Sequence, residues 1–178
     1  MTAATSSAFT EQLRQGNERV LQVVNFRLAG EIYGIPITQV REIILVGNIT
    51  RIPRSPPQLR GVINLRKQVI PVIDLRVVFG LPEIEIDDST RILVVQVGSL
   101  LVGVLVDAVC EVLRIPHDEI TPPPVLREID CRFLTGLSEL NGKLIMIIDM
   151  ARILSDEDLS AVVNRETATR CDVLAPMA

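Results

Sequence analysis

Residues 59–75 read LRGVINLRKQVIPVIDL, and residues 134–150 read LTGLSELNGKLIMIIDM. Six of the seventeen aligned positions are identical: Leu59, Gly61, Leu65, Ile70, Ile73 and Asp74 recur as Leu134, Gly136, Leu140, Ile145, Ile148 and Asp149. Four more exchange one apolar residue for another. Each stretch is two apolar runs around a short polar patch, the pattern of a β-hairpin. In the second copy the patch contains Asn141-Gly142, a strong short-range signal for a type I′ turn. In the first copy Arg66-Lys67 stands in the same place. Both turn residues therefore belong to the repeat, and Lys67 is asked to adopt positive φ, at a cost of about 1 kcal/mol for a residue with a Cβ.

The likeness extends outward from the hairpins. YGIPITQVREI (33–43) resembles VGVLVDAVCEV (102–112), with Gly34, Val40 and Glu42 matching Gly103, Val109 and Glu111. ITRIP (49–53) resembles ITPPP (120–124). The offset grows from 69 to 75 residues along the chain, so the second copy has slightly longer loops. A recurring unit of about 70 residues is the sequence signature of a duplicated fold. VLQVVNFRL, RILVVQV and LLVGVLV are short, β-branched and apolar, and Gly30, Gly47, Gly80 and Gly98 punctuate the chain as turn residues do. No long amphipathic helix separates the strands, which excludes a doubly wound α/β fold. The expected architecture is all-β with short helices: two pseudo-repeated units, about 30–80 and 99–154, each of five strands and able to close a small barrel.

The ends differ from the middle. Residues 1–18 are polar and read as a flexible tail, with a frayed helical turn at Thr10–Arg14. Residues 19–160 form the domain. Ser155 and Asp158 make a capping box for a short helix from about Asp156 to Asn164. Residues 161–178 are that helix's end and a tail.

Composition narrows the function. The chain has 178 residues, 48% of them apolar, a net charge of −4, no Trp and one Tyr. Neither phosphate neutralisation nor base stacking is served by such a set, so nucleic acid is not an expected partner. The most apolar segment, Leu100–Val109, is interrupted by Asp107 and is too short to span a bilayer. Cys110, Cys131 and Cys171 are an odd number without CxxC spacing, which favours reduced thiols and a cytoplasmic setting. His117 is the only histidine, so no His-rich metal site can form.

Candidate chemistry is sparse. Asp74 and Asp149, one per unit, raise the possibility of a carboxylate hydrolase working through a shared proton. They stand in IDLR and IDMA, however, and each precedes a helix-like run, so capping is the plainer role. Glu42 and Glu111 fit solvated strand positions. Cys110 reads as a small buried hydrophobe, and His117 as a surface loop residue. TPPPV (121–125) reads as a stiff crossover rather than a ligand for an SH3-type domain. Pro71 lies in the second hairpin strand, which points to an edge strand or a bulge. The groove between two units is a possible small-ligand site.

The combination LRGVINLRKQVIPVIDLRVVFGL, with YGIPITQVREI before it and LVDAVCEVLRI, LTGLSEL and KLIMIIDM after it, resembles the bacterial chemotaxis coupling protein family, CheW, over about residues 20–160. The resemblance implies two intertwined five-stranded SH3-like barrels plus a short C-terminal helix. It implies no catalytic activity and no cofactor. Such proteins are cytoplasmic adaptors recruited to membrane-associated receptor arrays. They link the cytoplasmic tips of methyl-accepting chemoreceptors to the chemotaxis histidine kinase, whose regulatory domain resembles the adaptor itself. Carried over by motif, Ile37, Val40, Glu42 and Ile43 correspond to the receptor-facing segment, and Gly61 and Arg66 to positions tied to signalling. The family usually has glycine after that arginine, where this chain has Lys67. Val102, Val104 and Val106 are candidates for the kinase-facing side.

Overall fold

Alternating apolar residues set the architecture, and most strands bury both faces rather than one. The structure, a computed structural model, describes residues 20–124 and 131–155. Its strands are β1 (Val20–Leu28), β2 (Glu31–Pro36), β3 (Val40–Leu45), β4 (Leu59–Leu65), β5 (Gln68–Asp74), β6 (Arg91–Val97), β7 (Leu100–Val106), β8 (Ala108–Pro116), β9 (Leu134–Leu140) and β10 (Lys143–Ile148). Helix α1 (Leu75–Val78) follows β5 and helix α2 (Met150–Leu154) follows β10, with single 3-10 turns at Ile37–Gln39 and His117–Glu119. The expected turn at Thr10–Arg14 and the expected helix from Asp156 to Asn164 lie outside the described residues.

The strands form two five-stranded sheets, β8-β1-β2-β10-β9 (sheet one) and β3-β6-β7-β5-β4 (sheet two). The sequence repeat is β1–β5 followed by β6–β10, but neither sheet is one repeat. Sheet one takes β1 and β2 from the first copy and β8–β10 from the second; sheet two takes the complementary set. The seam in each is a parallel ladder. Ile147 pairs with Gly34 in sheet one, and Val72 pairs with Gly103 in sheet two. These are equivalent contacts, and they explain why glycine recurs there. A Cβ on Gly103 would stand 2.9 Å from Ile92 Cγ2, and one on Gly34 would stand 3.3 Å from Val23 and Asn25.

Among the described residues neither hydrogen-bonded ladder is continuous around a barrel, and each sheet's outer edges are joined by one residue pair beyond the edge strand. Thr50 exchanges backbone hydrogen bonds with Val62 at 2.9 and 2.8 Å, and Thr121 does the same with Leu137 at 2.7 and 2.8 Å. Pro122, Pro123 and Pro124 follow that pair, and Val125, the last residue of the expected crossover, lies outside the described residues.

Three apolar clusters result. Ile63, Ile70, Val72, Ile92, Val94 and Leu105 fill the inside of sheet two. Val23, Ile115 and Ile147 form the smaller inside of sheet one. The largest cluster lies between the sheets, where Val24, Phe26, Leu28, Leu93, Val95, Val102, Val104, Val106 and Ile148 meet. Successive residues of one strand serve different clusters: Ile92 and Val94 point inside, Leu93 and Val95 between. Burial of apolar surface contributes about 25 cal/mol per Å², and the inter-sheet layer is the largest of the three clusters.

Two sequence readings need correction here. β5 is not an edge strand, since it lies between β7 and β4. Pro71 is tolerated because Val62, opposite it, directs its own N–H and C=O to Thr50. The missing Pro71 donor therefore faces β7, just before that ladder begins at Val72. Cys110 is exposed, because β8 is the edge of sheet one and pairs only with β1.

Candidate partner-binding site

The hairpin tip is built as the repeat predicts. Leu65 pairs with Gln68 and Leu140 with Lys143, leaving a two-residue turn in each copy. Arg66 and Lys67 have φ of 50° and 67°; Asn141 and Gly142 have 52° and 76°. Positive φ at both central positions defines type I′. The first copy therefore holds two non-glycine residues in the left-handed region, where each costs about 1 kcal/mol.

That strained turn places a cation against the far edge of its own sheet. Arg66 Nη2 donates to Glu42 Oε2 at 3.1 Å, with the arginine side chain 80% exposed. Glu42 lies on β3 and Arg66 follows β4, so the pair spans the two edges of sheet two. Glu42 is half-buried rather than fully solvated, while its counterpart Glu111 is exposed. The counterpart of Arg66 is Asn141, so sheet one has no equivalent ion pair.

β3 alternates around this pair. Val40, Glu42 and Ile44 are partly covered, whereas Arg41, Ile43 and Leu45 face solvent. Ile43 is 43% and Leu45 70% exposed, and Ile37 just upstream is exposed as well. An edge strand with two bare aliphatic side chains is an unpaired backbone row beside an apolar face, the usual template for a docking partner. The structure thus gathers Ile37, Val40, Glu42, Ile43 and Arg66 on and beside one edge. Leu45 belongs with them and was missed; its place in the ITQVREIIL alternation is the signal that marks it. Val69 beside the first hairpin tip and its counterpart Leu144 beside the second are also exposed.

Gly61 is buried and acts through its backbone. Its φ is +147°, and a Cβ there would lie 2.3 Å from the Thr50 carbonyl oxygen and 2.8 Å from Ile49 Cγ2. It permits the bulge in β4 and the close approach of the segment that bridges the sheet edges. The kinase-facing reading of Val102, Val104 and Val106 does not survive. All three side chains are buried between the sheets and offer no surface to a partner. An apolar strand with apolar residues on both faces looks the same in sequence whether one face is a docking site or a second core layer.

The carboxylates are occupied separately. Asp74 Oδ1 accepts from Arg76 N at 3.0 Å as the cap of α1, and Oδ2 meets Arg60 Nη1 at 3.3 Å. Burial pushes the Asp74 carboxyl above its ordinary value, and the Arg76 amide and the Arg60 charge only partly oppose this. Asp149 Oδ1 accepts from Ala151 N at 2.9 Å and from Gln39 Nε2 at 2.7 Å. Neither partner set includes the other carboxylate, so capping accounts for both. The inter-sheet space is filled by the core. A cleft beside Asp74, Arg76, Thr90 and Asp107 has an accessible volume of about 10 Å³, room for about one water molecule. Among the described residues no group of His, Cys, Asp and Glu is arranged to hold a metal ion, and no helix is long and apolar enough to cross a membrane.

Known proteins share this pattern. The CheW-like domain family matches residues 22–158. A chemotaxis protein CheW of Klebsiella aerogenes is 36% identical over 140 residues, covering 78% of this chain and 84% of the relative. A chemotaxis protein CheW of Bacillus subtilis is 35% identical over 156 residues, covering 86% and 97%. Among solved structures, the scaffolding protein TtCheW of Thermoanaerobacter tengcongensis superposes with a TM-score of 0.72 at 37% identity, covering 78% of this chain and 94% of that one. These names agree with the role expected from the resemblance, a scaffold in chemotaxis signal transduction. With the family match spanning most of the chain, and with the repeat, the swapped sheets and the hairpin motif all in place, the chain belongs to the CheW-like domain family.

Proposed function

We propose that this protein is a non-enzymatic cytoplasmic adaptor that couples chemoreceptor tips to the chemotaxis histidine kinase. The observation that carries the reading is the edge of sheet two. There Ile43 and Leu45 lie bare on β3, and Arg66, held on a strained turn, is ion-paired to Glu42 on the same strand. Aliphatic side chains on an open strand edge supply anchors, and a rim cation orients an acidic partner. The receptor tip is assigned to this edge, with Ile37, Val40, Glu42, Ile43, Leu45 and Arg66 as its contacts and Gly61 as the backbone support beneath them. The kinase's regulatory domain is assigned to a barrel end bearing an exposed hairpin-tip residue, Val69 or Leu144. Individually weak contacts suffice, because an array links many of them.

Reconstitution of receptor, kinase and this protein in membranes tests the proposal. The protein is expected to bring kinase activity under receptor control, and Ile43→Asp with Leu45→Asp is expected to lower receptor affinity at least tenfold, about 1.4 kcal/mol. A kinase indifferent to the wild-type protein would reject the reading.

A further inference from the structure

The chain passes between the two sheets at two places: through Ile37–Gln39, from β2 to β3, and through Asp107, from β7 to β8. Each crossing carries a polar side chain that grips the first turn of a helix. Gln39 Nε2 donates to Asp149 Oδ1 at 2.7 Å, and Gln39 Oε1 accepts from Met150 N at 3.1 Å, so the amide holds α2 through both of its polar atoms. Asp107 accepts from Arg76 through both carboxylate oxygens, at 2.7 Å from Nε and 2.5 Å from Nη2, so it holds α1 by a two-pronged pair. Asp107 Oδ2 also accepts from Ala29 N at 2.9 Å, which fastens the β1–β2 turn of sheet one to the same carboxylate. The two grips occupy corresponding crossings in the repeat and use unrelated side chains to do the same thing.

The apolar layer between the sheets attracts without direction. Forked charge-assisted hydrogen bonds are directional, and they are strong where they are sheltered from water. Arg76 and Asp107 are sheltered: their side chains keep 12% and 19% of their exposure. Asp107 is held below the ordinary carboxylate range, because burial, which opposes its ionisation, is outweighed by Arg76 and the Ala29 amide. We propose that Gln39 and Asp107, the latter with Arg76, are positioning residues that lock the two crossings and thereby fix the orientation of one sheet on the other. The functional consequence rests on the adaptor reading: partners docked on different sheets are held at a set angle, so these residues govern coupling without touching either partner.

The test reads geometry first. Spin labels carried on non-canonical amino acids at positions 69 and 144, one beside each hairpin tip, report the distance between the two sheets in the full chain with no partner present. Wild type is expected to give one narrow distribution. Gln39→Ala combined with Asp107→Asn is expected to widen it by roughly twofold, and Arg76→Lys, which keeps the charge and loses the fork, to widen it measurably on its own. An unchanged distribution in a folded variant overturns the proposal. Should the double variant fail to fold, Gln39→Ala with Arg76→Lys is read by the same criterion. Because this arm needs neither receptor nor kinase, it fails or stands independently of the adaptor reading. In the reconstituted system the variants, with Val69 and Leu144 left native and unlabelled, are expected to keep their separate affinities for receptor and kinase and to lose kinase control. Full control with a widened distribution would overturn the functional consequence.

Discussion

Sheet one and sheet two are built from equivalent strands, yet they differ at the hairpin tip and at the edge strand proposed above to meet the receptor. Its hairpin turns through Arg66-Lys67 at positive φ, where the other turns through Asn141-Gly142. Its Glu42 is ion-paired and its counterpart Glu111 stands in solvent. The insides differ as well. Where sheet two buries Ile63 and Val94, sheet one buries Ser138 and Asn25, whose Oγ and Oδ1 have no hydrogen-bond partner among the described residues. A buried polar atom without a partner costs about 1–3 kcal/mol. The two sheets thus share a topology, and sheet two has the larger apolar interior and the strained, charged tip.

Substitutions can break this comparison, and the largest effect is expected at the glycines beneath the tips. Gly61→Ala should lose more than about 3 kcal/mol, because it adds strain at φ +147° to a clash 2.3 Å from a backbone oxygen. Gly136→Ala should lose less, since its φ is not in the left-handed region and its Cβ would meet a side-chain methyl, Ile120 Cγ2, at 2.6 Å and the Thr121 carbonyl oxygen only at 3.4 Å. Equal losses in urea unfolding would remove the distinction.

Exchanging the interiors comes next. Ile63→Ser should destabilise by about 2–4 kcal/mol through lost burial and an added unpaired hydroxyl. Ser138→Val should be neutral or gain up to about 1 kcal/mol. Destabilisation by both would show that the hydroxyl of Ser138 has a partner worth keeping.

The pH dependence is expected to run in opposite directions at two aspartates. Asp107 has a lowered carboxyl, so its contribution is present above the unfolded value near pH 3.9 and is lost as pH falls through the folded value. Asp74 has a raised carboxyl, so its ionisation opposes folding as pH rises from about 4 through its folded value. In thermal unfolding between pH 3 and 7, Asp107→Asn should shrink the wild-type loss of stability at the acid end. Asp74→Asn should remove a decline toward neutral pH. The same sign of change in both would contradict the two environments.

The smallest expected effect is at the turn. Lys67→Gly should stabilise by about 1 kcal/mol by relieving a left-handed non-glycine residue. Gly142→Lys should cost a similar amount, and a null result in either would mean the turn relaxes away from type I′.

Much of this was legible in the sequence for identifiable reasons. The turn type followed from aligning Arg66-Lys67 with Asn141-Gly142, because a two-residue turn between register-matched strands leaves little choice. The capping roles of Asp74 and Asp149 followed from a carboxylate at the junction of a strand and a short helix. The strand exchange was not derivable from the repeat: aligning the two copies says which strands are equivalent and is silent on which copy each one pairs with. Burial of Val102, Val104 and Val106 was hidden for the same reason, since their second apolar face meets strands of the other sheet. Exposure of Cys110 depends on β8 being an edge, which is again a matter of pairing. The ion pair of Arg66 with Glu42 joins residues that sequence left unconnected and that only the rolling of sheet two brings together.

Arg66 and Asn141 are the sharpest contrast between the halves, and their replacement in reconstituted receptor–kinase membranes tests the account most directly. Arg66→Ala is expected to leave unfolding stability within about 1 kcal/mol, since an exposed ion pair contributes no more than that, while abolishing receptor control of the kinase. Asn141→Ala should leave receptor control intact. Normal coupling with Arg66→Ala, or equal loss with Asn141→Ala, would contradict the assignment of signalling to the edge and tip of sheet two.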